Sequence, residues 1–316
     1  MYSTNNETTV KRNRLHTLHP YEVICELFEY PVANWDRLSF FGIKVEINNV
    51  HLILDKHGLL SDLSSLFLGG SGVKIGGRKV DCRKYIRTAN KTKMNLDTIE
   101  ILTKELKATK DFYKNVLQLP VTECDHKSIS IKIGLSTLKF VESLEKDKPI
   151  YHFAFNIPEN KLSEAIEWCA NRIELIKKEE AVLITEFEAW NANAVYFYDN
   201  NGNILEFIAR KELDNSETKT FSSKHLLNIS EIGIVMDHPL EFGNQLIQNY
   251  GLNLFEKNHI SELFTAIGDD NGLLIIVKTN RNWYPTDTAA KSNWTKIELS
   301  NKNQSHIIEI KESSSR

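Results

Sequence analysis

The chain has 316 residues, 41% of them hydrophobic and 26% charged, with a formal net charge of −3. That length and apolar content suit one large domain or two to three small ones and exclude a mostly disordered chain. The charge balance argues against a dedicated nucleic-acid binder, and no apolar run is long enough to span a bilayer. The polar start, Met1 to His16, lacks the apolar core of a secretory signal, so a cytoplasmic protein is expected. Cys25, Cys82, Cys124 and Cys169 are widely spaced, form no CxxC pair and read as reduced thiols.

Charge divides the chain. Residues 1–93 carry 14 basic and 9 acidic side chains, a net of +5, whereas residues 94–316 carry 25 and 33, a net of −8. In the first part, Gly42 to Asp55 alternates around Asn48-Asn49 and predicts a β-hairpin. A short amphipathic helix follows over Leu59 to Phe67. The Gly69 to Gly77 run fails the dinucleotide fingerprint at Ile75. It fails the phosphate-loop pattern because Arg78-Lys79 stands where Lys-Ser/Thr is required. Ser71 is no esterase nucleophile, since Val73 occupies the glycine position of that elbow. The run therefore reads as a flexible connector. Arg78 to Lys93 has seven basic residues and one acidic, with Tyr85 its one aromatic, and reads as a basic linker rather than a nucleic-acid contact. The expected organisation is an α+β segment over 1–77, the linker over 78–93, and modules over 94–212 and 219–312.

From Met94 onward one pattern occurs three times: a strand, an amphipathic helix, then two or three strands. The first copy has strands at Leu96 to Leu102, Ser128 to Ile133 and Ser136 to Val141. Its helix is capped by the Thr103 hydroxyl and ends at Leu119-Pro120. The second opens with Tyr151 to Ile157, buries Leu162, Ala165, Ile166 and Cys169 along its helix, and closes with Ala194 to Tyr198 and Ile204 to Ala209 around the turn-forming Asp199 to Asn203. The third has Ile229 to Met236, a helix over Pro239 to Tyr250, and strands near Asn253 to Glu256, Ser261 to Ile267 and Gly272 to Lys278. Strands at Trp294 to Leu299 and His306 to Ile310 suggest a fourth copy without a helix.

The phrases LDTIEI, FYKNVLQLP (112–120), YHFAFNIP (151–158) and VYFYDNNGNILEFI (195–208), in that order, resemble the vicinal oxygen chelate superfamily of glyoxalase, bleomycin-resistance and extradiol-dioxygenase proteins. Residues 1–93 carry no such resemblance. It implies an α+β fold of paired βαβββ modules forming a cupped mixed sheet, with 95–145 and 150–209 expected to form the cup. In such proteins the concave face holds a metal or a ligand, and metal ligands come from the opening and closing strands of each module. Carried onto this sequence, that implies His152 and Glu206, with Thr98 where the first module's histidine would stand and Lys139 where its carboxylate would stand. Glu100 shares the face of Thr98 and is a substitute ligand or base, and Glu231 holds the Thr98-equivalent place in the third copy.

The expected cofactor is a divalent ion (Zn, Mn, Fe, Ni or Co), and the expected partner is a small oxygen-rich or aromatic molecule. Trp190, Asn191, Asn193, Tyr196 and Tyr198 are candidates for its pocket, and Trp283-Tyr284-Pro285 for the rim. The alternative function is metal-free ligand binding of the bleomycin-resistance kind. A third is a scaffold, because an exposed edge in an odd-numbered module array invites homodimerisation.

Overall fold

The computed structural model describes residues 43–47, 50–54, 73–75, 78–80, 93–144, 147–178, 182–257 and 261–311. The chain divides into two units, Met1–Lys91 and Thr92–Arg316. In the first, β1 (Ile43–Ile47) and β2 (Val50–Leu54) pair antiparallel with Ile47 opposite Val50, the hairpin that the alternation predicts. The Gly-rich run is not wholly a connector: β3 (Val73–Ile75) pairs with β4 (Arg78–Val80). The Leu59 to Phe67 helix and residues 81–92 of the basic stretch lie outside the described residues.

The second unit is a chain of modules. The first comprises β5 (Asn95–Thr103), α1 (Leu106–Asp111) continued by a π-helical turn over Phe112–Val116, then β6 (Val121–Cys124), β7 (Ser128–Ile133) and β8 (Ser136–Glu142). Thr103 does not cap α1, whose N-cap is Glu105. Its hydroxyl instead accepts from the Glu105 N–H and bonds Thr109 and Asn201. The second module has β9 (His152–Ile157), α2 (Leu162–Cys169), the short β10 (Leu175–Ile176) and β11 (Thr185–Phe187), then β12 (Ala192–Tyr198) and β13 (Ile204–Arg210). The third has β14 (Asn228–Met236), α3 (Pro239–Tyr250), β15 (Phe264–Asp269) and β16 (Gly272–Lys278). Its expected strand near Asn253 survives as one bridge, Leu254 to Ile267. The helix-less fourth copy is the hairpin of β17 (Thr295–Asn301) and β18 (Gln304–Ile310).

In each full module the closing strand runs parallel to the opening one: β8 to β5, β13 to β9, β16 to β14. A helix crossover makes that geometry possible. The opening strands then pair antiparallel, and the partners differ from expectation: β9 pairs with β14, and β5 with β17. Residues 95–145 and 150–209 therefore do not share a cup. The second and third modules form one, the first and fourth the other, and β5 meets β14 at the single pair Leu96–Ile229.

The helix-covered face holds one continuous core in which Phe153, Phe155, Phe197 and Phe207 are wholly inaccessible. Each such ring contributes about 2–3 kcal/mol of burial. α2 seats Leu162, Ala165 and Cys169 there, and burial pushes the Cys169 thiol up to about 12. The concave face of the second cup has its own cluster, which includes Ala154, Tyr196, Ile275 and Trp283.

Candidate metal centre

Asp199 organises the turn that sets the register of the second module. Its Oδ1 accepts from the Asn201 and Asn203 N–H groups at 2.8 and 2.9 Å, and its Oδ2 from the Asn203 amide and the Tyr113 hydroxyl. Gly202 has φ +78°, a left-handed conformation natural to glycine. Asn203 Oδ1 accepts from the Tyr151 N–H at 2.8 Å, so this turn also fixes the start of β9. The D-x-x-G-N phrase is thus a structural clamp that aligns His152 with Ile204 and Ala154 with Glu206.

His152 and Glu206 point to the concave face together with Glu231 of β14. One ligand atom from each lies within 4.8 Å of the others, and all three side chains are buried. Glu231 reaches that face through a bulge: Ile229 pairs with Phe155, but Glu231 pairs with Ala154, leaving Ser230 as the extra residue. Without it, strict alternation would put Glu231 on the same face as Ile229, which lies in the helix-side core.

His152 Nδ1 lies 3.1 Å from the Ile204 carbonyl oxygen, which can only accept. Nδ1 therefore carries the proton, and Nε2, 3.8 Å from Glu206 Oε2, presents its lone pair. Burial lowers the His152 pKa to about 4, with the Arg281 charge acting in the same direction and the Ile204 bond opposing. Burial and the neighbouring Glu231 charge raise Glu206 well above the usual carboxylate range, against the Tyr196 hydroxyl and Arg210. Burial also raises Glu231, partly offset by Arg210.

Arg210, fully buried, binds Glu231 and Ser230 and lies 3.4 Å from Asp270 Oδ1. Lys257 Nζ donates to Asp270 at 3.0 Å. Glu206 Oε1 is buried with no hydrogen-bond partner. A neutral imidazole with a free lone pair, two buried carboxylates and an unpartnered carboxylate oxygen form a donor set suited to a divalent cation such as Zn, Mn, Fe, Co or Ni.

The three side chains line a cavity of about 370 Å³ walled by Phe187, Trp190, Tyr196, Phe264, Trp283 and Tyr284, with Ile275 and Arg281. The His152 and Trp283 ring centroids are 5.2 Å apart. A second space of about 680 Å³ shares Arg281 and Tyr284 with it. Of the residues singled out from sequence, Trp190 and Tyr196 line the cavity, as do Trp283 and Tyr284 of the anticipated rim. Tyr198 shares the face of Tyr196 but is 42% exposed at the strand end, outside the cavity lining. Asn193 alternates with Val195 and Phe197 on the helix-covered face, and Asn191 is a left-handed residue just before β12.

Thr98 and Glu100 belong to the other cup. Glu100 binds Lys139 at 3.1 Å and Lys296 at 2.6 Å, and Lys296 also lies 3.4 Å from Glu298. Burial acts to raise the Glu100 pKa, but the two lysines outweigh it and the net shift is downward. Strand register makes the correspondence explicit. Thr98, His152, Glu231 and Lys296 occupy one position of the four opening strands, and Glu100, Ala154, Gly233 and Glu298 the position two residues on. Lys139, Glu206 and Ile275 are the closing-strand counterparts. One cup thus has ligands around small residues, and the other has cations around carboxylates.

Sequence reasoning missed Phe187, Phe264, Ile275 and Arg281. Only the repeat register could have marked Ile275, and Arg281 sits in a turn where periodicity carries no signal.

No protein-family profile matches the chain, and no curated protein matches it. Solved structures similar to it include a candidate dioxygenase of Bacillus subtilis (12% identity, TM-score 0.46), covering 71% of this chain and 87% of that one. A glyoxalase I variant from Zea mays is 10% identical with TM-score 0.43, over 70% and 93%. A variant of the fosfomycin resistance protein FosX from Listeria monocytogenes, complexed with Mn(II) and 1S,2S-dihydroxypropylphosphonic acid, is 18% identical with TM-score 0.29, over 36% and 88%. The repeated βαβββ modules, with parallel opening and closing strands and antiparallel pairing between modules, give this chain the vicinal oxygen chelate fold.

Proposed function

We propose that this protein is a divalent-metal-dependent enzyme acting on a small oxygen-rich or aromatic molecule held in the cavity of the second cup. The observation that carries this reading is the convergence of His152, Glu206 and Glu231 within 4.8 Å in a buried setting. His152 Nε2 and one oxygen of each glutamate would hold the ion, three protein ligands in all, as catalytic sites use. When bound, the ion supplies a Lewis acid for substrate oxygens.

The chain's own residues do the rest. Gly233 makes room for the Trp283 indole beside the centre, and Ile204 fixes the imidazole tautomer. The aromatic walls exclude water and orient a flat molecule. Glu206 Oε1, buried and unpartnered, is the oxygen left to accept a proton from a bound molecule. Glu100 takes no part, being neutralised by two lysines in the other cup. The His/Glu/Glu set differs from the two histidines and one carboxylate of iron-dependent ring cleavage, which favours lyase or isomerase chemistry.

Elemental analysis of the purified, untagged protein, supplied with Mn, Fe, Co, Ni and Zn, tests the proposal. About one equivalent of metal per chain is expected, lost in His152→Ala, Glu206→Ala and Glu231→Ala. A folded parent without metal would refute it and leave the aromatic cavity as a metal-free binding site.

A further inference from the structure

Two arginines adjoin the cavity, and they differ in one respect. Arg210 is consumed by Glu231 and Asp270. Arg281 lines the cavity, yet among the described residues no carboxylate pairs with it and its guanidinium makes no hydrogen bond. Its backbone is held from both sides, the N–H donating to Lys278 and the carbonyl accepting from Ala290. The guanidinium carbon lies 5.4 Å from the Phe264 ring centroid, a cation–π contact that keeps it against the wall. Burial lowers its pKa, and its charge is felt at His152. A partly desolvated cation without a counter-ion is costly unless a ligand recovers that energy. Lys257 is occupied by Asp270 and Glu212, and Lys178 lines the second space but not the cavity that holds His152, Glu206 and Glu231. Arg281 also lines both the cavity and the second space beside it.

We infer that Arg281 receives the anionic group, a carboxylate or a phosphate-type oxyanion, of a ligand whose oxygen-rich end reaches His152, Glu206 and Glu231. The planar guanidinium fork suits either anion. The apolar middle of such a molecule lies among the aromatic side chains between the two ends. The substrate class is therefore an aromatic or otherwise flat acid rather than a neutral molecule. This inference rests on the reading of the cavity as the substrate site, but it does not require that a metal be bound.

Trp190 and Trp283 line the cavity, so tryptophan fluorescence reports its occupancy. The full chain is titrated with benzoate and phenylphosphonate and with the neutral counterparts benzamide and benzyl alcohol, in chelator-treated and in Mn-supplied protein. The expected result is saturable quenching by at least one anion, with affinity at least tenfold above that of the neutral compounds, in the chelator-treated protein. Arg281→Gln abolishes the preference and Arg281→Lys retains part of it. Whichever anion binds more tightly identifies the source as carboxylate or phosphate.

Equal affinity for anions and neutrals, no saturable quenching by either anion, or a preference undiminished in a folded Arg281→Gln protein overturns the inference. If Arg281→Gln does not fold, Arg281→Lys carries the comparison, and a preference undiminished in it overturns the inference. Metal found by elemental analysis without anion preference removes this inference and leaves the proposed function. Anion preference that depends on Arg281 in a protein that takes up no metal does the reverse.

Discussion

At the proposed metal centre, protons would compete with a cation through the carboxylates and not through the histidine. His152, with a pKa near 4, is neutral across pH 5.5–8. Its depressed value stabilises the fold above pH 6.5, by about 3 kcal/mol, and that contribution is lost as pH falls toward 4. Glu206 and Glu231 act in the opposite sense. Their raised values mean that the metal-free fold retains protons that the unfolded chain releases, so their contribution is present below the ordinary carboxylate pKa and fades as pH rises through the folded value. A cation replaces those protons. The rise in melting temperature on adding Mn should therefore grow from pH 5.5 to pH 8, measured against chelator-treated protein. A constant or shrinking rise would mean that the two carboxylates do not bind the ion.

Two features of β14 build the site, and both illustrate what a sequence discloses. A Cβ on Gly233 would lie 2.5 Å from Trp283 Cη2 and 3.1 Å from the His152 carbonyl oxygen, so Trp283 rests where only hydrogen is tolerated. Gly233→Ala should displace the indole and cost about 1–3 kcal/mol, as overpacking does. Thermal denaturation and the tryptophan emission maximum check this, and an unchanged spectrum would show that the indole is not confined there.

The Ser230 bulge is harder to foresee. The turn from Asp199 to Asn203 is legible because the bonds within it join residues at most four apart, whereas its ties to Tyr113 and Tyr151 are not, and the helix over Pro239 to Tyr250 because its proline start and Gly251 stop are local. Glu231 is marked only by its place in the repeat, since period-two counting from Ile229 assigns it to the wrong face. Nor is module pairing, because the opening strands of different modules look alike and their choice of partner is a long-range event.

At the scale of the whole molecule, the two cups are one architecture with opposite electrostatics. The cluster of Glu100 with Lys139 and Lys296 occupies the register positions of the metal centre but neutralises itself. Glu100→Gln should leave the metal content unchanged and destabilise the protein by about 1 kcal/mol, a fall in melting temperature of roughly 2–4 °C. Loss of metal in that variant would restore Glu100 as a ligand.

The inversion also bears on how the protein responds to concentration. His152, Glu206 and Glu231 are the one candidate cation site among the described residues, and if it is the site that fills, linkage between equivalent sites within a chain has no means to arise. Metal occupancy of a monomer then follows a plain hyperbola with a Hill coefficient of one. A sigmoidal isotherm would be a property of associated chains.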